Sequence, residues 1–371
     1  MRRKKYPPGL LHGERDIIAA IRARTGRAGG ALRLGIGDDC AILRPPAGHE
    51  IVVTTDLSLE GVHFRKDWHT PESVGHRCLA RGLSDLAAMG AKPLGAFLSI
   101  ALPRELTLQS KGGSWLERFL DGLLALADEA GVPLAGGDTA QSPMMGGEFQ
   151  PPGSKQTGLA VADIVLVGAV KRGRALLRSS ARAGDLIYVT GALGGSAAEL
   201  LAVSSGKIGR QIPTSQTRDV GHPDLLRDQH PHFYPTPRLK AGYRLAGLRG
   251  VHAAIDLSDG LSTDLAHICE ESGLSAEVDA AALPVHALAL RAERDGWVSS
   301  ALELALHGGE DYELLFTAAP SARVPKRIGG VAVRSIGMIV KKNRGARVVL
   351  RGLDGSVRAL EAGGWEHFSE R

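Results

Sequence analysis

The segment VHAAIDLSDGLSTDLAHICEESG, residues 251–273, decides the fold class of this 371-residue chain. An apolar run predicts a strand, an acidic turn follows around Asp256 and Asp259, and apolar residues at helical spacing then predict a helix. A strand that passes through a short turn into a helix is typical of α/β proteins. Asp256 therefore stands at the carboxyl end of a predicted strand, where sheet proteins commonly bind ligands.

On both sides of this segment, the same periodicities predict further elements. Helices are predicted over 14–25, 71–90 and 115–131, strands over 49–56, 94–103, 133–140 and 158–170, a strand–turn–helix over 185–201, and a helix–turn–strand over 301–317. Because strands and helices mix irregularly, we predict a two-domain α/β protein, in part α+β, with mixed sheets.

Length and loop composition predict the domain organisation. A chain of this length corresponds to about two domains. Gly, Pro and polar residues dominate 141–158, so we predict a flexible basic N-terminus over 1–13 and domains over 14–158 and 159–371. The polar residues 204–231 predict a second long surface loop.

Composition excludes several classes of protein. Lys and Arg number 45 against 40 Asp and Glu, and the basic residues 2–5 account for most of the net charge of +5, which does not indicate a nucleic-acid partner. No apolar run approaches the roughly 20 residues that span a bilayer, and no apolar signal core follows the basic start, so no membrane partner is expected. Cys40, Cys78 and Cys269 form no C-x-x-C pair, which favours a cytoplasmic, reducing location.

Aspartates follow several predicted strands in tight turns. The set comprises Asp38, Asp39, Asp56, Asp138, Asp256 and Asp259. Each one alone is typical of an ordinary turn, but clustered carboxylates repel one another and require cations. Ligands that are all oxygen favour Mg²⁺, which commonly brings phosphates, so the residues predict phosphoryl transfer.

Two local patterns accompany these acids. Gly136 and Gly137 predict a turn before Asp138 that lets backbone amides approach a polyphosphate. Helix 71–90 carries three charged residues at four-residue spacing, which are Arg77, Arg81 and Asp85. These residues share one face of the helix. They either form a surface ion-pair ladder or place Asp85 in the acidic cluster.

The remaining motifs give weaker indications of function. The chain contains neither a P-loop nor the protein-kinase motifs. GALGGS, residues 191–196, favours a tight turn over an anion-binding loop. His222, His230 and His232 are interpreted as solvated loop histidines because they lack a fixed metal-ligand spacing.

Seven motifs in one order across 35–317 resemble the thiamine-monophosphate kinase family. They are GIGDDCAIL, TTDLSLEGVHF, LSDLAAMGAKP, LAGGDTA, GDLIYVTG, AIDLSDGLSTDL and HGGEDYELLF. The resemblance implies transfer of the ATP γ-phosphoryl to the phosphate of thiamine monophosphate, which gives thiamine diphosphate and ADP. It also implies a homodimer joined through the N-terminal sheets, and a larger C-terminal α/β domain.

The resemblance further implies residue roles. Several Mg²⁺ ions would be held by Asp39, Thr54, Thr55, Asp56, Asp85, Asp138, Asp256 and Asp259. ATP would contact Gly137, Asp138, Arg178 and Ser258, and thiamine monophosphate would contact His63, Glu310 and Trp365. The attacking phosphate is largely ionised near pH 7, so no general base is expected. The alternative interpretations are a turn residue for His63, an anchor of the tail for Trp365, and turn caps for Glu310 and Asp311, for which a binding role is favoured.

Three other functions stay open. One is another ATP-dependent synthetase of the same superfamily, which includes aminoimidazole ribonucleotide synthetase and selenophosphate synthetase. The second is a metal-dependent phosphohydrolase that uses the same acids on water. The third is a nucleotide-binding protein without catalytic activity.

Overall fold

The structure is a computed structural model that describes residues 14–25, 29–110, 112–143, 158–207, 230–342 and 345–365. The described chain divides into two compact units. The first holds the described residues up to Gly82 together with Pro93–Ala169, and the second holds Leu83–Lys92 and the described residues from Val170 onward. The predicted flexible terminus, most of both predicted loops, and His222 lie outside the described residues. The domain bounds drawn from the sequence stay a prediction.

The first unit is built on a four-stranded sheet in the order β3–β6–β4–β5. Its strands are β3 (His49–Leu59), β4 (Lys92–Leu102), β5 (Leu134–Gln141) and β6 (Val161–Lys171), and a separate pair is formed by β1 (Leu32–Leu34) and β2 (Ile42–Leu43). Its helices are α1 (Glu14–Arg24), the larger part of α2 (Pro71–Ala88), and α3 (Trp115–Ala130). These elements confirm the helices predicted in this half of the chain.

Helix α3 shows why the spacing of apolar residues predicts a helix in this part of the chain. Ser114 Oγ accepts from the Glu117 amide at 3.2 Å, and the Glu117 carboxylate accepts from the Ser114 amide at 2.9 Å. This capping box satisfies amides that the first turn leaves without partners. Gly131 ends the helix with φ 66°. The apolar face between these caps is buried, as its spacing predicts.

The second unit contains a larger mixed sheet. The strands run in the order β14–β13–β9–β12–β7–β10–β8, and β11 pairs with β12. Their bounds are β7 (Leu186–Thr190), β8 (Val251–Asp256), β9 (Ser275–Asp279), β10 (Leu314–Ala318), β11 (Arg327–Ile328), β12 (Val331–Val340), β13 (Val348–Arg351) and β14 (Val357–Ala359). Strands β13 and β9 are parallel, whereas β7, β10 and β8 are antiparallel. The predicted mixed α/β class is confirmed.

Helices cover both faces of this sheet. They are α4 (Gly195–Ser204), α5 (Leu239–Gly247), α6 (Leu261–Glu271), α7 (Ala287–Arg294) and α8 (Ala301–His307). Strand β10 is wholly buried. Leu315 packs with residues of α6 and α8, while Phe316 on the opposite face packs with Leu245 of α5. The alternation places one core on each side of the sheet. In the described part of the chain, no helix is long and apolar enough to cross a bilayer.

Two predicted strand ends are wrong. Asp56 and Asp138 were expected to follow their strands, but β3 continues to Leu59 and β5 continues to Gln141. Asp138 is paired with Ser99 of the parallel strand β4, whose ladder extends past it. In contrast, Asp256 is the last residue of β8, as predicted.

Candidate active site

A cavity of about 630 Å³ in the first unit gathers several predicted site residues. Asp38, Asp39, Gly137 and Asp138 line it, together with apolar side chains of α1 and β4. Asp138 Oδ1 accepts from the Thr139 amide at 2.9 Å, and Asp38 Oδ1 accepts from the Asp39 amide at 3.0 Å. These three aspartates are exposed, so their carboxylates keep capacity for a further ligand.

Gly137 has a structural role that the sequence did not indicate. It lies within β5 with φ 147°, and a Cβ built on it would lie 1.8 Å from the Leu98 carbonyl oxygen. Only glycine tolerates that approach. The predicted Gly-Gly-Asp turn is therefore wrong. Gly137 instead lets β5 pair closely with β4, and Asp138 lies on β5 at the cavity.

The acids on β3 are held by neighbouring side chains. Arg81 Nη2 lies 3.0 Å from Asp56 Oδ1, and Arg81 Nη1 donates to the Leu57 carbonyl at 3.0 Å. The Thr55 hydroxyl donates to Asp163 Oδ1 at 2.8 Å. A guanidinium already compensates the charge of Asp56, so a metal ion at this position would share that carboxylate with Arg81.

His63 and Arg77 stabilise the turn after β3. The Leu59 amide donates to His63 Nδ1 at 3.0 Å, and Arg77 Nη2 donates to the His63 carbonyl at 3.3 Å. Arg77 is only 3% exposed, so the surface ion-pair ladder is wrong. These contacts support the turn interpretation of His63. The remaining predicted ligands are half-buried: Thr54 lies on β3 of the first unit, and Asp85 lies on α2 in the second.

In the second unit, the turn between β8 and α6 concentrates negative charge. Asp264 Oδ2 accepts from the amides of Ser258, Asp259 and Gly260 at 3.1, 3.2 and 3.1 Å. Burial, and then the charges of Asp256 and Asp259, raise the pKa of Asp264 well above its ordinary value. Asp264 was not among the predicted site residues, although an acid in the first turn of a helix is a common acceptor for backbone amides.

The HGGEDYE segment packs directly on that turn. The Glu310 amide donates to the Ser258 carbonyl at 2.8 Å, and the Tyr312 amide donates to the Leu257 carbonyl at 2.9 Å. Glu310 and Tyr312 have φ values of 64° and 50°, in the left-handed region that residues other than glycine rarely adopt. Such strain persists only where the surroundings impose it, and it concentrates at functional sites. Glu310 and Ser258 are thus brought together.

Two of the predicted loop histidines are structural. His232 is 1% exposed, and its Nδ1 lies 3.4 Å from Glu310 Oε2. The Glu199 carboxylate accepts from the His232 amide at 2.8 Å and lies 2.6 Å from His230 Nδ1. The expectation that these histidines are solvated is wrong, because the buried Glu199 needs polar partners.

The C-terminal GGW segment also lies against the acidic turn. The Trp365 amide donates to the Asp259 carbonyl at 3.2 Å, and the Gly364 amide donates to Thr263 Oγ1 at 3.1 Å. A Cβ on Gly364 would lie 1.9 Å from that same Asp259 oxygen. The Trp365 side chain is 48% exposed, so the backbone rather than a buried ring anchors the tail.

Arg178 belongs to the second unit. It is exposed and begins the 3-10 turn Arg178–Ser180, and its carbonyl accepts from the Ser272 hydroxyl of the segment after α6 at 2.8 Å. The turn hydrogen bond fixes the backbone, while the guanidinium is left at the surface. Its predicted contact with ATP stays a prediction.

Backbone amides of the GALGGS turn donate to a carboxylate of this same chain, that of Asp311. The amides of Gly194 and Ser196 donate to Asp311 at 2.7 and 3.3 Å, at the first turn of α4. The favoured interpretation of a tight turn is confirmed. Burial nevertheless raises the pKa of Asp311 to about 7, against the effect of these amides.

Asp311 makes stability depend on pH. With a folded pKa of about 7 and an unfolded value near 3.8, the folded protein binds a proton that the unfolded chain releases. The contribution of Asp311 to the free energy of unfolding therefore falls as pH rises from about 4 to 7, by at most about 1.4 kcal/mol per pH unit. Relative to wild type, we expect Asp311→Asn to make the slope more positive by this amount in urea titrations across that range, and exposed Asp128→Asn to leave it unchanged. An unchanged slope in Asp311→Asn would contradict the shift.

The donors present fit magnesium. Among the described residues, no group of three or more His, Cys, Asp or Glu side chains is close enough to hold a metal ion. Mg²⁺ usually binds one or two carboxylates, keeps waters, and takes its other ligands from substrate phosphates. Asp39 and Asp138 offer such carboxylates at one cavity, and the crowded charges around Asp264 favour a nearby cation.

Comparison with known proteins gives matches over most of the chain. Residues 37–170 match the family model "AIR synthase related protein, N-terminal domain", and residues 182–350 match "AIR synthase related protein, C-terminal domain". The thiamine-monophosphate kinase of Salmonella typhimurium is 38% identical over 361 residues, which cover 96% of this chain and 98% of that protein.

Comparison with solved structures also gives matches to thiamine-monophosphate kinases. The thiamine-monophosphate kinase of Stenotrophomonas maltophilia K279a is 35% identical, with a TM-score of 0.70 over 93% of this chain and 96% of that one. A structure described as "AaThiL complexed with AMPPCP and TMP" is 27% identical, with a TM-score of 0.68 over 88% and 89% of the two chains.

Proposed function

The chain belongs to the AIR synthase related family and, within it, to the thiamine-monophosphate kinases, and from this premise we propose how its residues carry out the reaction. The enzyme transfers the γ-phosphoryl of ATP to the phosphate of thiamine monophosphate and releases ADP. Both reactants are anions, so their mutual repulsion is the main obstacle. The residues must therefore neutralise charge and position two phosphates.

Nucleotide binding is assigned to the first-unit cavity. Asp39 and Asp138 hold Mg²⁺ there, and the backbone at Gly137 lies beside the phosphates. Bound magnesium neutralises the phosphate oxygens and lowers the cost of charge that develops during transfer. Further metal contacts are proposed for Thr54, Thr55, Asp56, Asp85, Asp256 and Asp259, and further ATP contacts for Arg178 and Ser258.

Contacts to thiamine monophosphate are assigned to the strained Glu310 segment of the second unit. Glu310 is placed beside Ser258 by its backbone, and Trp365 is fixed to the same turn. An exposed indole can stack on the cationic thiazolium ring, and a carboxylate adds attraction for the cation. His63 is proposed as a further contact. No side chain needs to remove a proton, because the attacking phosphate oxygen is already ionised.

The observation that carries this function is the near full-length match, combined with a cavity that joins Asp39, Gly137 and Asp138. An acceptor screen with Mg-ATP tests it. We expect thiamine diphosphate and ADP only with thiamine monophosphate, and neither with thiamine, hydroxymethylpyrimidine phosphate or water. Equal ADP release with water alone would favour a phosphohydrolase instead.

Cys40 offers a probe of nucleotide position. It is the exposed cysteine and lines the first-unit cavity, whereas Cys78 and Cys269 are buried. We expect Mg-ATP to slow alkylation of Cys40 about tenfold or more by covering it, as followed by mass spectrometry. ATP with EDTA is the matched control and should protect weakly. Equal alkylation rates with and without Mg-ATP would remove the nucleotide from this cavity.

A homodimer is proposed through the edge strand of the first-unit sheet. Ile51, Val53 and Leu57 project from β3 at alternate positions and are 46%, 62% and 48% exposed. Such an apolar edge is typical of an association surface. We expect Val53→Asp to shift the mass measured by light scattering from dimer to monomer. Val357→Asp, at a 63% exposed residue of the second unit, should leave the dimer intact; a dimeric Val53→Asp protein would contradict the proposal.

The cytoplasm is the proposed location. All three cysteines are free. Free thiols persist in a reducing compartment.

A further inference from the structure

A second cavity, of about 380 Å³, lies within the second unit and has no part in the proposed reaction. It is formed by the segment before β7, the end of α5 and the start of β8. Asp256, the acid assigned to the active site, stands at the other end of β8. None of the residues assigned to the reaction lines this cavity, although Ser180, from the turn that begins at Arg178, lies in its wall.

The cavity is lined by an excess of positive charge. Arg174, Arg182 and Arg249 all contribute to its wall. Arg174 Nε donates to the Ala246 carbonyl at 3.0 Å, which orients its guanidinium. Across the described chain, none of these three arginines forms an ion pair with a carboxylate. All three arginines are exposed, and a bound anion would be attracted by several guanidinium groups at once.

A buried aspartate fixes a fourth polar group at the wall. His252 lines the cavity, and its Nδ1 lies 2.9 and 3.0 Å from the two carboxylate oxygens of Asp185. Asp185 is 2% exposed and also accepts from the Arg182 amide at 3.0 Å and the Thr317 hydroxyl at 3.1 Å. These bonds hold the imidazole in place and commit its Nδ1 to Asp185. Nε2 is the ring nitrogen that Asp185 does not engage.

We propose that this cavity is a binding site for a small phosphate-bearing molecule, held by Arg174, Arg182 and Arg249 with His252 beside them. Guanidinium groups match phosphate oxygens with paired hydrogen bonds, and several of them suit a dianion better than a monoanion. The volume accommodates a phosphate with a small organic group or a diphosphate. The site does not depend on the kinase reaction.

Calorimetric titration of the full-length protein tests the site. The probes are inorganic phosphate, inorganic pyrophosphate and glycerol phosphate, each without Mg²⁺ and with EDTA. The cavity variant is Arg182→Glu/Arg249→Glu, and the matched control is Arg244→Glu/Arg351→Glu, which changes two exposed arginines of the same unit outside the cavity. The neutral single variant Arg249→Gln provides a milder second test.

We expect wild type and control to bind a probe with the same Kd, and the cavity variant to bind it about tenfold more weakly or worse. Arg249→Gln should weaken binding in the same direction, while kcat with thiamine monophosphate stays unchanged in all variants. Tighter binding of glycerol phosphate would identify an organic ester as the ligand, and tighter binding of the inorganic probes would identify a free anion. Equal affinity in the cavity variant, or no saturation in wild type, would overturn the proposal.

Discussion

Asp138→Asn is expected to lower kcat/KM for Mg-ATP about a hundredfold, with thiamine monophosphate as acceptor. The change keeps the shape of the side chain and an oxygen for the Thr139 amide, but removes the negative charge that Asp138 brings to the cavity. Since the loss concerns charge stabilisation around the phosphates, kcat should fall as well as ATP affinity. Steady-state rates over a range of Mg²⁺ concentrations measure both.

The matched control is Asp128→Asn, which neutralises an exposed acid of α3 in the same unit. It should leave the rate within about twofold of wild type, because dissolved salt screens the effect of an exposed charge far from the site. Both proteins should give the same urea midpoint, since Asp138 is exposed. Unchanged turnover in Asp138→Asn would remove that carboxylate from the metal site and, with it, the assignment of the cavity to Mg-ATP.

The helices and most strands could be predicted because their signal is local. The apolar spacing of α3 and the alternation before Asp256 depend on neighbours within one element. The ends of β3 and β5 could not be predicted, because strand continuation depends on a partner strand. Asp138 pairs with Ser99, which no pattern around Asp138 reveals.

The same limit applies to the candidate site. The acids of the GDD, GGD and DLSDG motifs were found because each stands in a recognisable local context. His232 was interpreted as solvated, and turn capping by Asp311 was only the alternative to a binding role, because their partners come from other segments. The partner is Glu310 for His232 and the Gly194 amide for Asp311. Sequence patterns therefore indicate candidate ligand contacts more readily than the groups that hold a segment in place.

Arg238 illustrates such a support. Its Nε donates to Glu313 Oε2 at 2.8 Å, a second nitrogen pairs with Oε1, and the two residues are 75 positions apart. The Glu313 side chain is 4% exposed and also accepts from the Thr190 hydroxyl at 2.5 Å. Glu313 follows Glu310 by three residues, so this buried pair fixes one end of the strained acceptor segment. A bidentate guanidinium suits that task better than a lysine.

Arg238→Met is expected to lower the free energy of unfolding by about 3–5 kcal/mol, because it leaves the Glu313 carboxylate buried without its cation. The double variant Arg238→Met/Glu313→Gln should recover much of this loss, since the buried charge is gone. Urea titrations of the four proteins in the cycle measure the coupling. The double variant should also show a raised KM for thiamine monophosphate and an unchanged KM for ATP, because the Glu310 segment has lost its anchor. A single variant within about 1 kcal/mol of wild type, or a double variant with wild-type KM values, would show that the pair neither stabilises the fold nor positions Glu310.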